Sequence, residues 1–150
     1  MAGKFLRVNV HMIWSTKNRQ RLIDPQWAGR LYAFLGSIAL AKKARLVEAN
    51  GEPDHVHLYV SMPSTLTIAE MINAFKANSS RWIHQNFPNR RLFSWQEGYA
   101  AFSVGRSEEQ ALMAYIRNQH EHHRKQDFQQ ELLELLHRYG IEFDIRYVFD

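Results

Sequence analysis

The chain has 150 residues, 45% of them hydrophobic, which is enough for one domain with a buried core. It has no cysteine, which excludes a disulfide framework, a thiolate metal site and a cysteine nucleophile. No apolar run approaches the roughly 18 residues that cross a bilayer, and the N-terminus lacks a signal peptide's apolar stretch, so we expect a cytoplasmic protein with no membrane contact.

The net charge of +4 is unevenly distributed along the chain. Residues 1–50 carry nine Lys or Arg against two acidic residues, whereas residues 51–150 carry ten against thirteen. A basic half on a small protein favours a polyanionic partner such as nucleic acid. A solvated basic surface is the alternative.

The hydrophobic pattern predicts strands and helices in a regular order. In chain order it predicts a strand at 6–14, a helix to about 43, strands at 45–50 and 55–62, a helix from 67, strand-like segments at 92–95 and 99–104, and helices at 107–124 and 127–139. This order predicts an α+β protein with a ferredoxin-like βαββαβ antiparallel sheet and a C-terminal helical extension. We expect one domain over residues 1–150, with its core at about 5–104 and the extension at 107–150.

Several helix ends can be predicted from capping residues. Thr67 with Glu70, and Ser107 with Gln110, have the spacing of capping boxes. Gly140 stands where a C-terminal cap belongs. After it, apolar residues alternate along 143–149, which predicts an additional edge strand.

The segment Asp54-His55-Val56-His57-Leu58 places two imidazoles on one side of the third strand. Residues two apart on a strand share a face, so His55 and His57 point the same way and could bind one metal ion. With oxygen ligands added, Mg²⁺ or Mn²⁺ fits such a site. Two hydrogen-bonded structural histidines are the alternative.

Tyr115 and Gln119 lie one turn apart on the helix predicted at 107–124, with His122 a further turn on. A phenol can attack phosphorus when a metal polarises the phosphate, and the Gln119 amide oxygen could complete that metal's coordination. A packed tyrosine beside a surface glutamine is the alternative. The neighbouring run of histidines lacks the zinc-protease spacing, because Arg124 follows His120 by four residues.

Taken together, a His-hydrophobe-His strand and a later Tyr-x-x-x-Gln helix resemble the HUH nucleases, in particular the single-tyrosine transposases of IS200-like insertion sequences, including the REP-associated tyrosine transposases. The resembling segments, which span nearly the whole chain, are His11 with Trp14, Lys17 and Arg19; residues 52–57; Phe75-Lys76 with Ser79-Ser80-Arg81; residues 95–99; residues 115–119; and Glu121-His122-His123.

The resemblance implies an enzyme that cleaves and rejoins single-stranded DNA at hairpin-bearing ends. His55, His57 and Gln119 would bind Mg²⁺ or Mn²⁺, and Tyr115 would attack the scissile phosphate to form a 5′-phosphotyrosine. The family works as a homodimer in which the tyrosine helix can complete the partner subunit's site. His11 and His122 are expected to lie around the metal ligands.

Five basic side chains are candidate phosphate contacts. They are Lys17, Arg19, Arg21, Lys76 and Arg81.

Three alternatives to this function remain open. A domesticated relative would process repetitive palindromic DNA of its host with the same chemistry. A ferredoxin-like module could bind nucleic acid without catalysis. A metal-dependent phosphoesterase would use water and form no covalent intermediate.

Overall fold

The computed structural model describes residues 1–149. Its strands are β1 (Val8–Ser15), β2 (Arg45–Glu52), β3 (His55–Met62) and β4 (Ala100–Ser103), and its helices are α1 (Pro25–Ala41), α2 (Ile68–Asn86), α3 (Glu109–Arg117), α4 (Gln119–His123) and α5 (Phe128–Arg138). Short 3-10 turns lie at Lys17–Arg19, Pro88–Arg90 and Arg106–Glu108. Among the described residues, no helix is both long and apolar enough to cross a membrane.

The four strands form one antiparallel sheet in the order β2-β3-β1-β4. This order, with helices between β1 and β2 and between β3 and β4, is the ferredoxin-like arrangement that the sequence predicts. Three short helices follow β4, as the predicted C-terminal extension requires. The α+β fold class is therefore confirmed.

Strand alternation gives the sheet two different faces. Val10, Met12 and Trp14 of β1 join Val56 and the other apolar residues of β3 in a core that α1 and α2 cover. The opposite face carries buried polar side chains from the same strands, and the C-terminal helices lie over it. Since polar groups lose solvation when they are buried, this second face is where hydrogen-bonded or metal-bound groups are expected.

The β2–β3 hairpin sets the position of the His-Val-His segment. Asn50 pairs with His57, and Glu52 with His55, across a short turn. The carbonyl of Asp54 accepts a hydrogen bond from the Thr16 backbone N–H at 2.8 Å, which joins the turn to the end of β1. This turn therefore has little freedom to shift along the sheet.

The helix predicted at 107–124 is divided in two. Its start is a 3-10 turn without a side-chain cap, so the capping box predicted at Ser107 is wrong, whereas the one at Thr67 is formed. Asn118 leaves helical geometry (φ −97°, ψ 27°), and α4 begins after it. The Asn50 side chain donates to the carbonyls of Ile116 (3.0 Å) and Arg117 (3.1 Å). Those carbonyls would serve the next turn of a continuous helix, so this tertiary contact favours the break.

Two further strand predictions are wrong. Residues 92–95 contribute only one isolated bridge, between Trp95 and Thr16, and Leu92 is exposed. The tail forms no edge strand, because residues 145–149 are a turn. Phe143 and Phe149 pack instead against the apolar cluster of α5 and β4. Their alternation thus reflects packing rather than a strand ladder.

Gly51 in the hairpin and Gly29 in α1 provide a matched test of the hairpin geometry. A Cβ at Gly51 would lie 2.2 Å from the His55 carbonyl oxygen, whereas a Cβ at Gly29 in α1 meets nothing within 4 Å. We expect Gly51→Ala to lower the free energy of unfolding by about 2–3 kcal/mol through overpacking. Gly29→Ala should raise it by roughly 0.5–1 kcal/mol through helix propensity. Urea unfolding measures both, and equal effects would contradict the hairpin geometry.

Candidate active site

His55 and His57 lie side by side on the polar face of β3, as the sequence predicts. Both are fully buried, and their ring centroids are 5.1 Å apart. Nδ1 of His55 lies 2.7 Å from the Asp54 carboxylate, which orients the ring and leaves its Nε2 directed at the space between the helices.

Glu131 of α5 is the group on which three imidazoles converge. Its Oε1 lies 3.0 Å from Nε2 of His57, 3.1 Å from Nε2 of His123 and 3.3 Å from Nε2 of His55. The carboxylate is only 1% exposed. We call these four residues the histidine–glutamate cluster. It brings together β3, α4 and α5, which are far apart in sequence.

Sequence reasoning missed Glu131 and His123 as functional residues. It treated the helix from 127 to 139 as packing only, yet Glu131 lies on the same inner face as Phe128, Leu132 and Leu135. Its carboxylate within an apolar stripe was the feature that could have indicated a role, because a carboxylate is buried only with hydrogen-bond or charged partners. For His123 the sequence offered no such signal among its histidine neighbours.

Tyr115 and Gln119 meet at the second oxygen of Glu131. The Tyr115 hydroxyl donates a short hydrogen bond to Glu131 Oε2, and Gln119 Nε2 donates to the same atom at 3.2 Å. Oε1 of Gln119 lies 3.2 Å from Nε2 of His55. The structure therefore brings the predicted tyrosine, glutamine and histidine pair together within one chain, even though the helix breaks between Tyr115 and Gln119.

The two histidines expected around the ligands occupy different places. His11 is buried, and its Nε2 lies 2.9 Å from Nδ1 of His57. His122 packs its ring on Tyr115, with centroids 4.4 Å apart. His11 thus orients a candidate ligand, whereas His122 contacts the candidate nucleophile and His123 enters the cluster.

Burial and the Glu131 charge determine the protonation of the surrounding groups. Burial opposes charging His55, but its hydrogen bonds to Asp54 and Glu131 outweigh burial and raise its pKa to about 9. Burial dominates at His57 and lowers its pKa. Burial and then the neighbouring Glu131 raise the pKa of Tyr115. Three imidazoles overcome burial at Glu131 and keep its pKa well below the usual range.

The histidine–glutamate cluster fits a divalent cation. Each residue offers one ligand atom, and these atoms lie within 4.8 Å of one another. Three imidazole nitrogens and a carboxylate oxygen form a donor set that first-row divalent metals accept. Since a bound His55 must be neutral, metal binding near neutral pH would also release its proton.

The five predicted phosphate contacts are scattered, and two of them hold other parts of the chain. Lys76 donates to the carbonyls of residues 96, 97 and 98 at 2.8, 3.1 and 2.8 Å, which uses all three of its ammonium protons. Arg19 donates to the carbonyl of Phe149 at 3.4 Å. Lys17 and Arg81 are exposed. Arg21 lines a cavity of about 190 Å³ that also reaches His123.

Residues 4–119 match the family described as Transposase IS200 like. The chain belongs to this family. The resemblance to single-tyrosine HUH transposases is therefore confirmed, and family membership makes the protein a DNA-processing enzyme. The matched range includes His55, His57, Tyr115 and Gln119, but it ends before His123 and Glu131.

Individual relatives agree with the family match. This IS200-like transposase is 26% identical over 124 residues to the ISDra2 transposase TnpA of Deinococcus radiodurans, covering 79% of this chain and 89% of the relative. It is 22% identical over 114 residues to the IS200 transposase of Salmonella typhimurium, covering 73% and 74%.

Solved structures share the fold. A Deinococcus radiodurans structure described as a transposase superposes with a TM-score of 0.65 at 27% identity, covering 79% of this chain and 95% of that one. A REP-associated tyrosine transposase bound to a REP hairpin superposes with a TM-score of 0.61 at 10% identity, covering 82% and 73%.

Two nearby histidines of α4 allow a matched test of the cluster. His123 lies within it, whereas the His120 side chain is 69% exposed and pairs with Glu52. We expect Mn²⁺ at a hundred times its Kd to stabilise the wild type by about 2.7 kcal/mol. His123→Ala should weaken Mn²⁺ affinity by at least about tenfold. His120→Ala should leave it unchanged. Calorimetric titration measures the affinities, and equal losses in both variants would contradict the assignment.

Proposed function

We propose that this IS200-like transposase cleaves and rejoins single-stranded DNA through Tyr115, with a divalent metal at the histidine–glutamate cluster. One observation carries the proposal: the Tyr115 hydroxyl and three imidazole nitrogens contact the same carboxylate, Glu131. A nucleophile and a cation site that share one group can act on the same phosphate. Tyr115 is also only half-buried, whereas His55, His57 and Glu131 are buried.

His55, His57, His123 and Glu131 would hold the metal, with the Gln119 amide oxygen as a further ligand. When bound, a divalent ion neutralises charge on the scissile phosphate and lowers the barrier to attack. Among ions that support phosphoryl transfer, three imidazoles favour Mn²⁺ over Mg²⁺, because Mg²⁺ prefers oxygen ligands and retains water.

The chain's own residues prepare the phenol for attack. Glu131 Oε2 accepts the hydrogen bond from Tyr115 and so fixes the direction of its oxygen. The His122 ring packs against the phenol and restricts its rotation. Burial and the Glu131 charge keep the phenol protonated in the metal-free protein. Tyr115 is therefore held in place but not activated until positive charge arrives nearby.

The proposed reaction conserves the energy of the cleaved bond. The Tyr115 oxygen loses its proton and forms a bond to phosphorus while the bond from phosphorus to the 3′ oxygen breaks, and the 3′ oxygen takes up one proton to become a 3′-hydroxyl. The product is a 5′-phosphotyrosine. Attack by a 3′-hydroxyl of another end reverses the step and rejoins the strand with no external energy source.

The substrate we propose is single-stranded DNA next to a hairpin, as the resemblance implies. Two arginines near the cluster are consistent with this. Arg21 and Arg124 line the cavity of about 190 Å³ that reaches His123, and arginine pairs well with phosphate. Glu52, Asp54 and Asp127 line the same cavity, so a phosphate bound there would have to contact the arginines directly.

The tyrosine helix acts within its own chain in this proposal, even if the protein forms a homodimer. Asn50 of β2 binds the carbonyls at the end of α3, and Arg117 Nε donates to Glu48 at 2.8 Å. Tyr59 donates to Glu109 at the start of the same helix at 2.9 Å. Both ends of α3 are thus attached to the sheet that carries the histidines.

The first prediction for function concerns the covalent intermediate. With Mn²⁺ and a single-stranded end bearing a hairpin, the wild type should form a DNA adduct that survives denaturing electrophoresis. Tyr115→Phe should reduce the adduct by about 10³-fold or more, because the nucleophilic oxygen is lost. Tyr147→Phe, at an exposed tyrosine of the tail, is the control. Cleavage without an adduct would indicate attack by water instead.

The second prediction separates action within one chain from exchange between chains. We expect a mixture of His57→Ala and Tyr115→Phe proteins to stay inactive, because neither chain then contains a complete site. Recovery of adduct formation on mixing would show that the tyrosine helix of one subunit serves the other. A wild-type sample diluted with either variant controls for inhibition by inactive protein.

A further inference from the structure

A cavity of about 390 Å³ lies between α3 and α5, next to Tyr115. We propose that it binds the base of a nucleotide adjacent to the scissile phosphate and so contributes to the choice of cleavage sequence. The inference rests on the proposed function, since it assumes that the strand passes Tyr115. Its walls include His11, Ala111, Leu112, Tyr115, Arg138 and Tyr139.

One wall residue of this cavity carries an unpartnered polar atom. His11 is fully buried, and in the described part of the chain its Nδ1 has no hydrogen-bond partner. Its other nitrogen is already 2.9 Å from Nδ1 of His57. A buried polar atom without a partner is costly, and a ligand that pairs with it recovers that cost.

The free nitrogen of His11 indicates what a ligand can offer. An imidazole nitrogen donates or accepts a hydrogen bond according to its tautomer. The edge of a base carries acceptors and N–H donors in one plane, so a base can pair with Nδ1 of His11 in either tautomer, whereas the sugar offers mainly hydroxyl and ether oxygens.

The apolar walls suit the flat faces of a base, and the arginine beside the cavity suits the phosphate. Val104, Leu112 and Leu135 are apolar. One face of the Tyr139 ring stacks on Phe102, with centroids 4.4 Å apart, and because the residue is 36% exposed its other face can stack on an unpaired base. Arg138 is exposed and lies close enough to Tyr115 to affect its pKa. Within residues 1–149 it makes no ion pair, so its guanidinium is free to contact a phosphate.

The location explains why the ligand is a nucleotide of the substrate strand. Tyr115 is shared between this cavity and the histidine–glutamate cluster. A phosphate attacked by the Tyr115 oxygen must have its two flanking nucleotides beside the phenol. A volume of about 390 Å³ falls within the range of small-ligand sites and can enclose one base but not a base pair.

A titration of the full chain in the presence of Mg²⁺, which is diamagnetic, with deoxynucleoside 5′-monophosphates tests binding. We expect saturable NMR shifts of the methyl groups of Ala111, Leu112 and Leu135, with the four nucleotides differing in affinity. Ala111→Trp, which fills the cavity from its mouth, should raise the Kd at least about tenfold. Ala114→Trp is the matched control, because Ala114 is exposed on the same helix but is not part of the wall.

Arg138→Gln should raise the Kd for the nucleotides by about tenfold, whereas Arg91→Gln, at an exposed arginine outside the cavity wall, should not. Inorganic phosphate is titrated in parallel. If phosphate gives the same methyl shifts and affinity as the nucleotides, the cavity is an anion site and the base proposal is overturned. Shifts that are absent, or that persist in Ala111→Trp, overturn it as well.

Adduct formation on oligonucleotides distinguishes this inference from the proposed function. With the four bases varied in turn at each position flanking the cleavage site, the wild type should discriminate about tenfold at one position. Ala111→Trp should reduce that ratio to about threefold or less. An adduct with unchanged discrimination in Ala111→Trp refutes the cavity alone. Nucleotide binding with no adduct on any substrate refutes strand transfer and leaves the cavity as a nucleotide site.

Discussion

The contacts of Glu131 are the interaction on which the polar side of this protein depends. A carboxylate that is 1% exposed is stable only when its charge is matched, and here three imidazoles contact one oxygen while Tyr115 and Gln119 donate to the other. Those partners come from β3, α3 and α4. The same contacts therefore determine both where α5 packs on the sheet and how the candidate active site is arranged.

One face of the sheet carries the apolar core, and the opposite face carries the candidate active site. On one face, β1 and β3 bury apolar side chains under α1 and α2, and this core supplies most of the hydrophobic stabilisation. On the other face the same strands bury histidines, which require hydrogen bonds or a cation. Two described side-chain atoms of that face lack a hydrogen-bond partner, Oδ1 of Asn9 and Nδ1 of His11, and His11 belongs to a wall of the cavity beside Tyr115.

The C-terminal helix α5 carries side chains that lie outside the range of residues matching the family. The match ends at residue 119 and contains the histidine pair, Tyr115 and Gln119. Glu131 and Arg138 follow on α5, one in the cluster and one at the mouth of the cavity. Under the proposed function, the shared core with its tyrosine would keep one chemistry, while the helix packed over it would adjust the metal site and the contacts with the DNA strand.

Features that depend on local periodicity could be predicted from the amino-acid sequence. Alternation along the strands placed His55 and His57 on one side, the Thr67 capping box located the start of α2, and the order of elements predicted the ferredoxin-like sheet. Resemblance added the family and the pairing of Tyr115 with that strand. Three features became visible only in the folded chain: Asn50 ends α3, the tail packs rather than pairs, and Glu131 and His123 join the cluster. These outcomes arise from contacts between residues far apart in sequence, which no local pattern encodes.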